Sequence, residues 1–269
     1  MAGKFPEVQG GGSLILAWQV KGRHVLVVGG GEVAAGRILN LLNADALVTV
    51  ICPSSGLNPE VRHRVTQKQV AHVDRVFEPT DLELINLPTV PLTTGAPDMV
   101  LVAIDDPAAS SQIWKLCKKL RIPANIADVP PECDFYFGSV HRDGPLQIMV
   151  STNGKGPRLA AAIRKFIAGQ LPKGVGNAIE RIGILRAKLR EQAPEIEQGP
   201  KRMKWMSRVS DSYSWDDMCG LSEEDMINLL TFYADNKVPT IGTLKAMRGG
   251  VDSEAIDVFD GAFGFCVGC

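Results

Sequence analysis

Cysteine is sparse: six residues, at positions 52, 117, 133, 219, 266 and 269, are scattered through 269. That is too few and too dispersed for a disulfide framework, and reduced thiols in a cytoplasmic setting are expected. Long apolar runs are missing too. The longest, such as Met99 to Ile104, fall far short of the ~20 residues that a membrane span requires. The opening stretch MAGKFPEVQGGG lacks the basic-then-apolar pattern of a secretion signal, so no export and no membrane contact are expected. Nor is there an excess of charge of one sign, since 29 Lys+Arg stand against 30 Asp+Glu for a net charge of -1. Neither a nucleic-acid partner nor an acidic tail shows in that balance. Metal ligands are few: four histidines (His24, His63, His72, His141), and one Cys pair at ligand spacing, Cys266 and Cys269, with no second pair beside it. No metal cage is expected, and those two thiols read as free.

What is present is an ordinary globular composition, 45% hydrophobic and 22% charged, long enough for one or two domains. From Lys21 to Val129 short β-branched runs alternate with helical stretches, the pattern of an α/β fold with a parallel sheet. The predicted strands are His24 to Val28, Leu47 to Ile51, Val73 to Phe77, Met99 to Ile104 and Ala124 to Asp128. Helices are predicted over Val33 to Leu42 and Ser110 to Leu120, and Leu87 to Pro97 reads as a surface loop. After Asp128 the period changes. Phe135 to Arg142 and Leu146 to Thr152, joined by Asp143-Gly144-Pro145, read as an antiparallel hairpin. A helix opening at Pro157 follows, then one over Val175 to Leu189, then further helices, one of them started by Ser222-Glu223-Glu224-Asp225. Gly249 to Cys269 reads as a loose tail. The expected division is a Rossmann-type domain over 1–136, a small hairpin-containing dimerisation region over 137–172, and a helical C-terminal domain over 173–269.

The sharpest local motif is His24-Val-Leu-Val-Val-Gly29-Gly30-Gly31-Glu32-Val33-Ala34, a strand running through G-x-G-x-x-A directly into a helix. Gly29 permits the tight turn, Gly31 lets a pyrophosphate approach the backbone, and Ala34 keeps helix and sheet close, while Glu32 and Val33 open the helix whose N-terminus favours the phosphates. The bland alternative is a glycine-rich turn of an unrelated α/β protein. The acidic residue expected ~20 positions on, which would hold the ribose hydroxyl, is absent; Cys52-Pro53-Ser54-Ser55 stands there. Ser54 could bond the ribose or a 2′-phosphate, so NAD and NADP both remain open. At the end of the fourth strand Asp105-Asp106-Pro107 either lines the cofactor cleft, with Asp105 as the candidate, or caps a helix.

A second constellation, Ala124-Asn-Ile-Ala-Asp128-Val-Pro-Pro-Glu-Cys133-Asp134-Phe-Tyr-Phe137, puts Asp128 at the ligand edge of the sheet. There it is a candidate general base or an ordinary turn former before Val129-Pro130. Asp134 reads as a local cap. Together with VLVVGGGEVAAGR, the segments NIADVPPECDFYFGSV and LQIMVSTNGKGPRLAAAIR resemble, in order and spacing, the bifunctional precorrin-2 dehydrogenase/sirohydrochlorin ferrochelatase family of siroheme synthesis. The likeness is to the free-standing form, without the methyltransferase module.

That resemblance implies NAD-linked oxidation of precorrin-2 to sirohydrochlorin, then insertion of ferrous iron, brought as substrate, to give siroheme. It also implies a homodimer joined through the middle region, with Asp128 serving both reactions and Gly29, Gly30 and Gly31 serving the cofactor. The substrate's carboxylates call for cations, and Arg142, Lys155 and Arg158 near the hairpin and the following helix are the candidates; Arg164 and Lys165 read equally well as a solvated face. His141 is the one histidine placed to reach a cleft, although an exposed strand residue is the commoner reading. Two other readings stay open: a dehydrogenase without effective chelatase activity, and a non-catalytic dimer that senses NAD(H).

Overall fold

The computed structural model describes residues 8, 10–83 and 96–248. The expected tail, Cys266, Cys269 and almost all of the Leu87 to Pro97 loop lie outside them. The chain forms two compact units, the first running to Phe137 and taking in Asn153–Lys155, the second made of Gly138–Thr152 and the chain from Gly156 onward.

In the first unit five parallel strands, β1 (His24–Val28), β2 (Leu47–Ile51), β3 (Ala71–Val73), β4 (Met99–Val102) and β5 (Ala124–Ile126), lie in the order β3-β2-β1-β4-β5. Alternation along β1 divides the core. Val25 and Val27 pack on one face with Ile38 of helix α1 (Glu32–Leu42) and Val61 of α2 (Pro59–Thr66). Leu26 and Val28 point to the other, among Ile113 and Cys117 of α3 (Pro107–Leu120). Both faces are therefore covered, which is why β1 reads as an unbroken apolar run. His24 is a core histidine, 3% exposed and bonded to the Thr49 hydroxyl at 2.9 Å; burial pushes its pKa down, against the raising influence of Asp98.

Several boundaries differ from expectation. β3 spans Ala71–Val73 rather than Val73 to Phe77, because Asp74 leaves the strand to bond Ser54 and Arg75 turns to Asp81. α3 starts three residues early, at Pro107, since Asp106 caps it by accepting from the N–H groups of Ala108 and Ala109. α2 was not expected at all: Pro59 at its first position and the Asn58 cap on Val61 N–H make it, but its weakly apolar sequence hides it. β4 and β5 stop two residues short of Ile104 and Asp128.

In the second unit β6 (Ser139–Asp143) and β7 (Leu146–Val150) form the hairpin. The extended run begins later than predicted because Phe135 stacks edge-on with Trp18 and Phe137 in the first unit. Helices α4 (Pro157–Gln170), α5 (Val175–Gln192), α6 (Gly199–Ser212), α7 (Trp215–Cys219), α8 (Glu223–Thr231) and α9 (Ile241–Met247) follow. Their core gathers Leu185, Leu189, Trp205, Val209, Met226 and Leu229. Trp205 meets Tyr233 edge-on at 5.5 Å and donates its indole N–H to Lys237 O.

The Ser222 cap forms as its sequence suggests, with Asp225 returning to Ser222 N at 2.7 Å. Asp225 is fully buried, and Arg248 Nε reaches its Oδ1 at 2.7 Å. Above all the Arg248 hydrogen bond holds the Asp225 carboxyl down at about 2, with Ser222 adding to the effect. A depressed folded-state pKa contributes stability above the unfolded value of about 3.9, and the contribution is lost as pH falls through about 2. Thermal melts should therefore show Asp225→Asn below wild type from pH 5 to 7, with the gap closing between about pH 4 and pH 2. A gap constant with pH would show that the ion pair contributes nothing to the acid response.

Candidate active site

All five strands run parallel, so their C-terminal ends share one edge, where α/β sheets bind ligands beside the point at which strand order reverses. That point lies between β1 and β4, at the Gly29–Gly31 turn. The three glycines do different work. Gly29 has φ +111, and a Cβ there would stand 2.1 Å from Ala103 O, so the fold itself demands glycine. A Cβ on Gly30 would press Leu57 Cδ2 at 2.7 Å and Cys52 Sγ at 2.9 Å. Gly31 has ordinary φ and nothing within 4 Å of the Cβ position. Nothing in the fold requires glycine at this third position, so its smallness leaves room for a ligand.

Gly31 is also the N-cap of α1, and no side chain caps that helix. Its first-turn N–H groups, those of Glu32 and Val33 included, thus face an anion's position. Beside the turn opens a cleft of about 590 Å³ whose lining includes Gly29, Cys52, Pro53, Ile104, Asp105 and Asp106. Asp106 caps α3, and Asp105 and Asp106 both line this cleft. These features fit a dinucleotide, with its pyrophosphate at α1. Ser54 stands at the rim, next to the lining residue Pro53, and its N–H and hydroxyl both donate to Asp74, at 2.6 and 2.5 Å. Those bonds hold the Asp74 carboxyl below the usual carboxylate range.

Asp128 comes two residues after β5 on the same edge, in a left-handed turn with φ +60, and is exposed. Sequence reading missed a cation whose charge interacts with that of Asp128. Arg37 of α1 donates to Val102 O at 2.9 Å and sits 5.8 Å from the Phe137 ring. Burial lowers its pKa, opposed by electrostatic interaction with Cys133 and Asp128. It closes the VLVVGGGEVAAGR segment, where a helix position reads only as surface. The chain after Asp128 folds back on β5: Asp134 accepts from Ala124 N and pairs with Lys118, and Asn125 Nδ2 donates to Phe135 O at 2.7 Å. Asp134 is thus a local latch.

The cation candidates divide between units. Lys155 belongs to the first, and Arg142 and Arg158 to the second. Lys155 and Arg158 are exposed, whereas Arg142 Nε turns to Gly144 O of its own hairpin at 3.3 Å. Arg164 is not a solvated face residue; its Nε donates to Ser139 at 3.0 Å. Among the described residues no group of three or more His, Cys, Asp or Glu is placed to hold a metal, and no helix is long and apolar enough to cross a membrane.

Strand order, glycine turn and cleft define the first unit as a Rossmann-type dinucleotide-binding domain. Family models agree: "Putative NAD(P)-binding" matches residues 16–139, "Sirohaem biosynthesis protein central" 143–170 and "Sirohaem biosynthesis protein C-terminal" 172–239. The siroheme biosynthesis protein met8 of Schizosaccharomyces pombe is 52% identical over 240 residues, 89% of this chain and 86% of that one. Siroheme synthase 1 of Serratia proteamaculans is 32% identical over 69% of this chain, which spans only 36% of that longer protein. A solved structure described as SirC, precorrin-2 dehydrogenase, shares the fold with TM-score 0.60 at 20% identity, covering 83% of this chain and 100% of that one. The chain belongs to the siroheme biosynthesis family, and it is an enzyme of that pathway.

Proposed function

We propose that the chain oxidises precorrin-2 to sirohydrochlorin with NAD as acceptor, and then inserts ferrous iron to give siroheme. The observation that carries this reading is the pairing, on one sheet edge, of a glycine the fold does not need with an exposed carboxylate, Asp128, free to meet a substrate. NAD supplies the hydride acceptor. The chain's own residues do the rest. Backbone N–H groups at α1 hold the pyrophosphate, and Gly31 keeps the approach open. Asp128 takes the proton that leaves as the macrocycle loses its hydride, and in the second reaction it assists removal of the two pyrrole N–H protons that iron replaces. Arg37, anchored to β4, fixes the charge that Asp128 faces and acts as a positioning residue. Arg142, Lys155 and Arg158 bind the substrate's carboxylates by charge-assisted hydrogen bonds.

The test follows the absorption spectrum of precorrin-2 with purified protein and NAD, with and without ferrous iron. Sirohydrochlorin without iron and siroheme with it are expected. Oxidation without metallation would leave only the dehydrogenase, and no turnover would leave a sensor. Free thiols at Cys52, Cys117, Cys133 and Cys219 support placing the protein in the cytoplasm.

We also propose that residues 137–172 pair with a second copy. On α4, Leu159, Ile163 and Phe166 recur at helical spacing with 62%, 39% and 69% exposure, and Val140 of β6 is 49% exposed. Such a surface favours burial against its own kind. Light scattering should find a dimer at micromolar concentration and a monomer for Val140→Asp with Phe166→Glu. An intact dimer in that variant moves the contact elsewhere.

A further inference from the structure

Dinucleotide folds usually place an acid after the second strand to hold the adenosine ribose, and here that stretch offers none. The fold brings one in from the neighbouring strand. β2 and β3 are parallel and in register, Ile51 opposite Val73, so the residues just past each strand emerge side by side. Asp74, the first residue after β3, reaches Ser54 through both carboxylate oxygens, one on the backbone N–H and one on the hydroxyl. Pro53 before this pair and Val76 after it line the cleft.

The hydrogen-bond polarity of the pair matters more than its position. Ser54 spends its hydroxyl proton on Asp74, so toward a ligand both groups can only accept. Two acceptors, one of them anionic, suit a ribose hydroxyl and oppose a phosphate monoester. The neighbouring cations do not offset this. Arg62 directs one amino nitrogen at Ser54 O and Leu57 O, at 2.9 and 3.4 Å, Arg75 is held by Asp81, and His72 bonds Cys52 O at 2.8 Å.

We infer that Asp74, coupled to Ser54, is the specificity-determining carboxylate that selects the unphosphorylated ribose of NAD and rejects the 2′-phosphate of NADP. This deepens the function proposed above and rests on its dinucleotide site.

The test is equilibrium titration of the purified chain with NAD and with NADP by calorimetry, without precorrin-2, for wild type, Asp74→Asn and Asp74→Glu. Wild type should prefer NAD by at least about tenfold, the scale of one like-charge contact near the surface. Asp74→Asn keeps an acceptor for Ser54 but loses the charge, and should erase most of that preference by tightening NADP. Asp74→Glu should retain it. Equal weakening of both nucleotides in Asp74→Asn would show that Asp74 only braces the loop, and a wild-type preference for NADP would assign the phosphate to Arg62; either result overturns the inference. If wild type binds neither nucleotide, the dinucleotide reading falls and this inference with it. If NAD binds and the ratio ignores Asp74, this inference alone falls.

Discussion

Asp128→Asn should lower both oxidation of precorrin-2 and iron insertion by about 10² or more, the lower end of what a positioned acid-base group contributes. The structure makes the substitution clean. Asp128 sits at φ +60, a conformation asparagine tolerates as readily as aspartate, and its exposed side chain holds no element together. The backbone turn should survive while the ability to accept a proton is lost. Single-turnover rates with precorrin-2 and NAD, and separately with sirohydrochlorin and ferrous iron, provide the readout, and calorimetry should show NAD binding nearly unchanged. Full activity in both assays would reduce Asp128 to a turn residue. Loss of one activity alone would assign the two reactions different bases.

Gly31→Asp should abolish the dehydrogenase and leave much of the chelatase, since metallation needs no nucleotide. The added carboxylate enters open space, with nothing within 4 Å of its Cβ, so the fold should accept it; it would meet only the pyrophosphate, with bulk and like charge. Gly29→Ala is the control. There φ +111 and the close Ala103 carbonyl predict a loss of about 3 kcal/mol in stability whatever the ligand. Normal melting with lost NAD binding in Gly31→Asp, against lowered melting in Gly29→Ala, would separate the ligand's glycine from the fold's. Near wild-type NAD reduction by Gly31→Asp would mean that the turn does not bind the cofactor.

Most of the sheet was legible from sequence because strands buried on both faces read as runs of apolar and β-branched residues, as β1, β2 and β4 do. The short edge strand β3 was misplaced, since three residues give too little pattern, and α2 was missed because only Val61 of its eight residues is buried. At the site, the glycine turn, Asp105 and Asp128 were visible as motifs. Asp74 and Arg37 were not, for a different reason: each bonds a partner distant in sequence, Ser54 and Val102, and no local spacing records such a meeting.

The latch on β5 bears on how the protein behaves in a crowded solution. An outermost strand ordinarily presents unpaired N–H and C=O groups that can recruit a stranger's strand and start aggregation. Here Asp134 N donates to Ala124 O, its carboxylate takes Ala124 N, and Asn125 binds Phe135 O, so the returning chain occupies the border of the sheet. At the opposite border β3 offers only three residues, too short a template for a foreign strand to align on. The sheet is thereby guarded at both margins against runaway cross-strand polymerisation.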